Sequence, residues 1–311
     1  MSRDLYPAIV IMGPTASGKS ALAIDLARHL QTEIISVDSA QVFREMDIGT
    51  AKPSLEEQHE IRHHLIDILD PADSYSTGRF CSDALQIMQQ LKQQNKIPIL
   101  VGGTMLYFNA LMYGMAVLPE SDPVIRDKLN REWLEGGKEL MYQRLHQIDP
   151  ESALRIHPND PQRLQRALEV FELTGKPMSA FFNQQVMELP FRPVKLIVMP
   201  ESRAALHAII AQRFERMLDA GLIEEVERLF VRGDLSEDLP AIRSVGYRQV
   251  WSYLKGEWDK ETMIEKGIIA TRQLAKRQCT WLRKENATPM FYSEQYGLAN
   301  QVLDYILPQL E

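Results

Sequence analysis

The chain has 311 residues, 45% apolar and 25% charged, with 35 basic against 42 acidic side chains and a formal net charge of −7. This size supports one large or two medium domains whose core needs no staple, and the charge balance excludes a histone-like, wholly basic nucleic-acid binder. Cys81 and Cys279 are too few for a disulfide scaffold, which suits a reducing cytosol, and no apolar run reaches the roughly 18 residues of a membrane span. After Arg3 and Asp4 a short apolar run leads straight into a glycine motif, as a first strand does and a signal peptide does not.

Taken in chain order, residues 8–12 (AIVIM) read as a buried strand and residues 20–30 as a helix. A second strand, 33–37, ends at Asp38; a helix covers 83–93; a third strand, 97–101, closes on Gly102-Gly103-Thr104. Strands this apolar, without alternation, predict an α/β core whose parallel sheet is covered by helices on both faces. From about Gly114 to Pro190 strand signals vanish. Helices are expected there at 122–134, 139–148 and 161–173, the last with Asp160 as N-cap, Pro161 in the first turn and Gly175 past its end. Residues 194–199 read as a strand again, so 115–190 reads as an all-helical insertion domain in a core built from 1–114 and 191–311. Four more helices are predicted at 203–220, 222–232, 245–255 and 260–283.

The strongest single signal is Gly13, Pro14, Thr15, Ala16, Ser17, Gly18, Lys19 and Ser20, a complete G-x-x-x-x-G-K-[ST] after an apolar strand and opening a helix. Its glycines let consecutive backbone N–H groups converge, and the helix N-terminus adds partial positive charge. Lys19 brings a point charge to phosphate oxygens, and Ser20 is placed to hold a Mg²⁺ that bridges them. The motif binds a diphosphate or polyphosphate and does not say which. Asp38, at the carboxyl end of the second strand, lies where ligands of open α/β sheets bind. It reads as a carboxylate organising Mg²⁺ through water, as a general base, or simply as a helix N-cap. The third strand carries no Asp at its tip, which weakens an ATPase reading. His59-Glu60-Ile61-Arg62-His63 matches the zinc-protease pattern, but without a third ligand and inside a phosphate-binding domain it is rejected as a zinc site.

The acidic average hides three cationic segments: Gln162, Arg163, Leu164, Gln165 and Arg166; Arg243, Ser244, Val245, Gly246, Tyr247 and Arg248; and residues 271–284. In the last, Arg272, Lys276 and Arg283 share one helical face, while Ile264, Ile268, Ala275 and Leu282 share an apolar one. A cationic face of this kind tracks a nucleic-acid backbone, and the glutamines and tyrosine add donors and a stacking surface for RNA. The plainer alternative is an ordinary solvated helix.

Together these stretches resemble the bacterial tRNA dimethylallyltransferase family, also called tRNA isopentenyltransferases. The resemblance rests on GPTASGKS (13–20), DSAQVFREMDIGTAKP (38–53), HHLID (63–67), VGGTMLY (101–107), DPQRLQRALEV (160–170), RSVGYRQ (243–249) and KRQCTWLR (276–283), in order along nearly the whole chain. It departs from the commonest pattern at Phe43, usually Tyr, and Glu45, usually Gly. The resemblance implies a P-loop core with Mg²⁺, transfer of a dimethylallyl group from dimethylallyl diphosphate to N6 of adenosine 37 of tRNA, and a cytoplasmic monomer. It implies that residues 13–20 hold the diphosphate, with Lys19 neutralising charge and Thr15 beside the leaving oxygen, and that Asp38 is the proton acceptor. Asp38, Ser39, Ala40, Gln41 and Thr104 would surround the flipped base. Gln162–Arg166, Arg243–Arg248 and Lys276, Arg277, Gln278, Cys279, Thr280, Trp281, Leu282 and Arg283 would grip the anticodon stem-loop, clasped by the inserted block. The rivals are a small-molecule or nucleotide kinase using ATP in the same loop and a non-catalytic RNA-binding switch.

Overall fold

A computed structural model describes residues 5–116, 118–182, 189–285 and 287–310; Arg3 and Asp4 lie outside them. The chain forms two compact units, Met1–Met112 with Leu189–Glu311, and Tyr113–Glu188. In the first, β1 (Pro7–Met12), α1 (Lys19–Leu30), β2 (Ile34–Val37), α2 (Leu55–Glu60), β3 (His63–His64), α3 (Thr77–Gln93), β4 (Ile99–Gly102) and α4 (Met105–Tyr113) follow one another. The second holds α5 (Pro123–Ile148), α6 (Pro150–Arg155), α7 (Pro161–Thr174) and α8 (Ser179–Phe182). The first then resumes with β5 (Arg192–Met199), α9 (Arg203–Asp219), α10 (Leu222–Phe230), α11 (Tyr247–Leu254), α12 (Lys260–Leu282), β6 (Met290–Tyr292) and α13 (Leu298–Ile306).

Six strands form one parallel sheet in the order β3-β2-β4-β1-β5-β6. Successive side chains of a strand point to opposite faces, and β1 shows the result. Ala8, Val10 and Met12 pack against α3 and α4 through Phe80, Met88, Leu91 and Phe108. Ile9 and Ile11 pack against α1 and α13 through Leu22, Leu26, Val302 and Ile306. Both faces are therefore covered, and the strands read as continuous apolar runs for that reason. This is the α/β arrangement expected from the sequence. A third apolar cluster joins Val42, Phe43 and Met46 to Phe214, Leu229, Tyr247 and Trp251 of the later helices.

The register sets the site. Met12 pairs with Gly102, and Gly102 with Val37. The segments beginning at Gly13, Gly103 and Asp38 therefore leave the sheet side by side at its carboxyl edge, where open α/β sheets bind ligands.

In the helical unit, α7 starts on Asp160, whose side chain accepts from Arg163 N, and ends at Gly175 with φ 67°. A cap of this kind contributes about 1 kcal/mol. α5 is interrupted at Gly137 (φ 70°, ψ −174°), a conformation open only to glycine. It thus consists of the two helices read from the sequence, butted at one residue. Seven of the elements named above escaped that reading: α2, β3, α4, α6, α8, β6 and α13.

Phe43 is buried in the third cluster. Glu45 has φ 64°. An L-residue pays about 1–2 kcal/mol in this region, and glycine returns part of that through its freer unfolded chain. Glu45→Gly is therefore expected to raise stability by about 0.5–1 kcal/mol. The urea midpoint should rise with an unchanged slope; a lowered midpoint would show that Glu45 earns its place through contacts.

Candidate active site

Between β1 and α1 the loop turns through Ala16 (φ 64°) and Gly18 (φ 78°). Gly18 is the N-cap of α1 and offers no side-chain cap, so the first N–H groups of the helix stay open to an anion. Lys19 curls back over the loop and its Nζ donates to Pro14 O at 3.0 Å. The Ser17 hydroxyl is buried with no hydrogen-bond partner among the described residues. A side chain at Gly13 would meet Val198 O at 2.5 Å and Ser17 Oγ at 2.6 Å, so this position admits only glycine.

A cavity of about 550 Å³ opens at this edge of the sheet. Thr15, Lys19 and Ser20 line it from the loop, Asp38 to Gln41 from the end of β2, and Thr104 from the end of β4. Later elements add Arg213 (α9), Arg243, Ser244, Val245, Gly246 and Tyr247, and Arg277, Gln278 and Trp281 (α12). A second cavity of about 410 Å³ is lined by Ala16, Ser17 and Gly18, and shares Lys19, Ser20 and Arg213 with the first. The phosphate loop is thus reached from both.

Asp38 caps a turn, not a helix. Its Oδ1 accepts from Ala40 N at 2.8 Å and Gln41 N at 3.3 Å. Its Oδ2 makes no hydrogen bond among the described residues, which leaves one carboxylate oxygen for chemistry. Thr104 Oγ1 accepts from Ser39 N at 3.0 Å and holds the neighbouring backbone. Burial, with Arg213 adding like-charge repulsion, pushes the Lys19 ammonium down to about 8 against the pull of Asp38. Burial likewise lowers Arg213, partly offset by Asp38. Two cations and one carboxylate therefore face each other in a desolvated site, with the balance positive.

The wall formed by Gly49, Thr50 and Ala51 is built from a distance. Glu225 is 1% exposed, and its carboxylate accepts from the N–H groups of Asp47, Ile48 and Gly49 at 2.8–3.1 Å and from the Tyr247 hydroxyl. Gly49 lies so close to Tyr247 that a Cβ would stand 2.5 Å from its ring. Lys52 closes the same loop, donating to Phe43 O at 2.6 Å and pairing with Asp47 and Asp67.

Several residues assigned to an RNA face are placed otherwise. Leu164 and Leu282 are buried in apolar clusters, as helical periodicity requires of them. Tyr247 is 0% exposed, so it offers no stacking surface. Gly246 is buried as well. Gln278 is buried with its amide engaged at both ends. Arg166 is spent on buried Glu169 at 2.7 Å and on Pro119 O, and Gln165 donates to Asn130 at 2.7 Å. Gln162 and Arg163 stay exposed on α7; Arg163 lies 3.3 Å from Asp160. Cys279 is half-buried, its thiol pushed up by burial. Arg243, Arg248, Lys276, Arg277 and Arg283 are exposed and form no ion pair among the described residues; Thr280 is exposed beside them. Arg272 is half-buried, with Nε unpartnered. His59 ends up on α2 and His63 on β3, its Nδ1 bound to Ile61 O, so the two do not share the helix that the zinc pattern needs.

The family described as IPP transferase matches residues 41–285. The chain belongs to that family. It is 52% identical over 308 residues to a tRNA dimethylallyltransferase of Methylococcus capsulatus, covering 99% of each chain. It is 57% identical over 290 residues to one of Thioalkalivibrio sulfidiphilus, covering 93% of this chain and 91% of the relative. Among solved structures it resembles a full-length tRNA isopentenylpyrophosphate transferase from Bacillus halodurans, with TM-score 0.72, 33% identity, and 99% and 97% of the two chains covered. A eukaryotic dimethylallyltransferase acting on tRNA aligns with TM-score 0.83 at 27% identity, over 98% of this chain and 80% of that one. As a member of this family the chain is a prenyl transferase, and the kinase and nucleotide-switch readings fall. No helix among the described residues is long and apolar enough to cross a membrane.

Proposed function

We propose that the chain moves a dimethylallyl group from dimethylallyl diphosphate to N6 of adenosine 37 in tRNA. The observation that carries this reading is the free Asp38 oxygen in the same cavity as Lys19 and Arg213. The N6–C1 bond forms as the C1–O bond breaks; the N6 proton passes to Asp38 Oδ2 and diphosphate leaves. The loop N–H groups, Lys19 and Arg213 meet the negative charge that develops on the leaving group, the kind of electrostatic stabilisation that dominates such steps. Thr15, which lines the cavity, would donate its hydroxyl to the bridging oxygen. Ser39, Ala40, Gln41 and Thr104 frame the flipped base.

The donor set suits Mg²⁺ carried with the diphosphate. No group of three or more His, Cys, Asp or Glu side chains gathers among the described residues, whereas Ser20 supplies a hydroxyl oxygen beside the loop and Mg²⁺ favours oxygen ligands shared with substrate phosphates. When bound, the ion would neutralise phosphate charge. The cations Arg243, Arg248, Lys276, Arg277 and Arg283, without an ion pair among the described residues, supply contacts for the anticodon stem-loop, and Gln162 and Arg163 offer a second set on the helical unit. On this reading the protein works as a monomer in the cytoplasm, where its tRNA substrate is.

The test is transfer itself. The protein with Mg²⁺, radiolabelled dimethylallyl diphosphate and an unmodified tRNA bearing adenosine at 36, 37 and 38 should label the RNA. A guanosine at 37 should abolish labelling; label that persists there would refute the acceptor assignment.

A further inference from the structure

Gln278 bridges the two halves of the cavity. Its Oε1 accepts from the backbone N–H of Thr15 at 2.8 Å, and its Nε2 donates to the carbonyl of Gly103 at 2.8 Å. Thr15 belongs to the phosphate loop. Gly103 precedes Thr104, whose hydroxyl holds the Ser39 N–H beside Asp38. The N–H groups of such loops ordinarily converge on the anion; at Thr15 the N–H is turned to a side chain. The fit is close, because a Cβ at Gly103 would stand 2.4 Å from Gln278 Nε2. That contact gives a packing reason for the second glycine of Gly102-Gly103-Thr104.

The geometry points to Gln278 as a positioning residue for prenyl transfer. It fixes the separation between the loop that holds the diphosphate and the strand end beside Asp38, and with it the approach of N6 to C1. Gln278 touches neither substrate in this role. The inference rests on the transfer reading above.

Gln278→Met keeps the length of the side chain and removes both hydrogen bonds. A displacement of about 1 Å between reacting groups costs up to about 10²-fold in rate. In the full-length protein with Mg²⁺, kcat at saturating donor and tRNA is expected to fall about 10–10²-fold. The KM for dimethylallyl diphosphate and the dissociation constant for tRNA should stay within about threefold, the signature of a loss confined to the transition state. Rates are expressed per molecule able to bind tRNA, so partial unfolding does not imitate the effect. An unchanged kcat per competent molecule overturns the proposal, and so does a fall in tRNA affinity with kcat intact, which would make Gln278 an RNA contact. Should Gln278→Met not fold, Gly103→Ala presses on the same amide from the other side and is expected to give the same split; normal kcat there also overturns it. Failure of the wild-type protein to transfer at all would refute the transfer reading instead.

Discussion

Asp38→Asn is expected to lower the single-turnover rate of prenyl transfer by about 10²–10⁴-fold, the contribution of a well-placed general base. The substitution is chosen for what it preserves. An asparagine Oδ1 still accepts from the N–H groups of Ala40 and Gln41, at present 2.8 and 3.3 Å from the carboxylate. The turn that presents Ser39, Ala40 and Gln41 therefore survives, and tRNA affinity with it. What disappears is the second oxygen as a proton acceptor. Rapid-quench measurement of labelled tRNA, beside a filter-binding titration, separates the two effects. Collapse of tRNA affinity with chemistry intact would make Asp38 a binding residue and remove it from the proton-transfer step.

The Lys19–Arg213 pair carries the second large effect. Arg213→Met is expected to lower kcat by about 10²–10³-fold, the cost of one preorganised donor where charge develops. It also has a signature in pH. Lys19 is held down to about 8 by burial first and Arg213 second. Binding of a diphosphate favours the ammonium form, so the site takes up a proton wherever free Lys19 is partly neutral. Affinity for inorganic diphosphate with Mg²⁺ should consequently fall as pH rises through about 8. Diphosphate itself titrates nearby, so Lys19→Arg, whose charge persists, is the control that isolates the lysine. Removing Arg213 lifts one cause of the depression and should move the wild-type midpoint upward. Calorimetry across this range checks both statements. A pH profile identical in wild type and Lys19→Arg would show that the Lys19 charge does not govern binding.

Much of this was legible in the chain because the chemistry is contiguous. The loop at 13–20 carries its glycines, its lysine and its helix start in eight consecutive residues, and local backbone geometry needs nothing else. The apolar strands announced their burial because a parallel sheet covered on both faces tolerates no polar alternation. Gly175 marked a helix end through a left-handed φ that other residues avoid. The short strands β3 and β6, two and three residues long, left no such signal, because neither is long enough to show a period.

The RNA face shows where the chain alone misleads. Cationic segments were read as surfaces, but a helix turns its residues in every direction, so each segment also contributed to a core. Leu164, Tyr247, Gln278 and Leu282 went inward, and Arg166 found buried Glu169. Arg213 escaped notice altogether. Nothing distinguishes it locally from the other arginines of its helix, and it becomes part of the site only because α9 passes beside the phosphate loop and Asp38. The sequence by itself determined which chemistry the chain carries, since motif residues are neighbours along the backbone. Only the tertiary structure decided which side chains share the cavity, because hydrogen bonds such as Thr15 to Gln278 close over separations that no local pattern records.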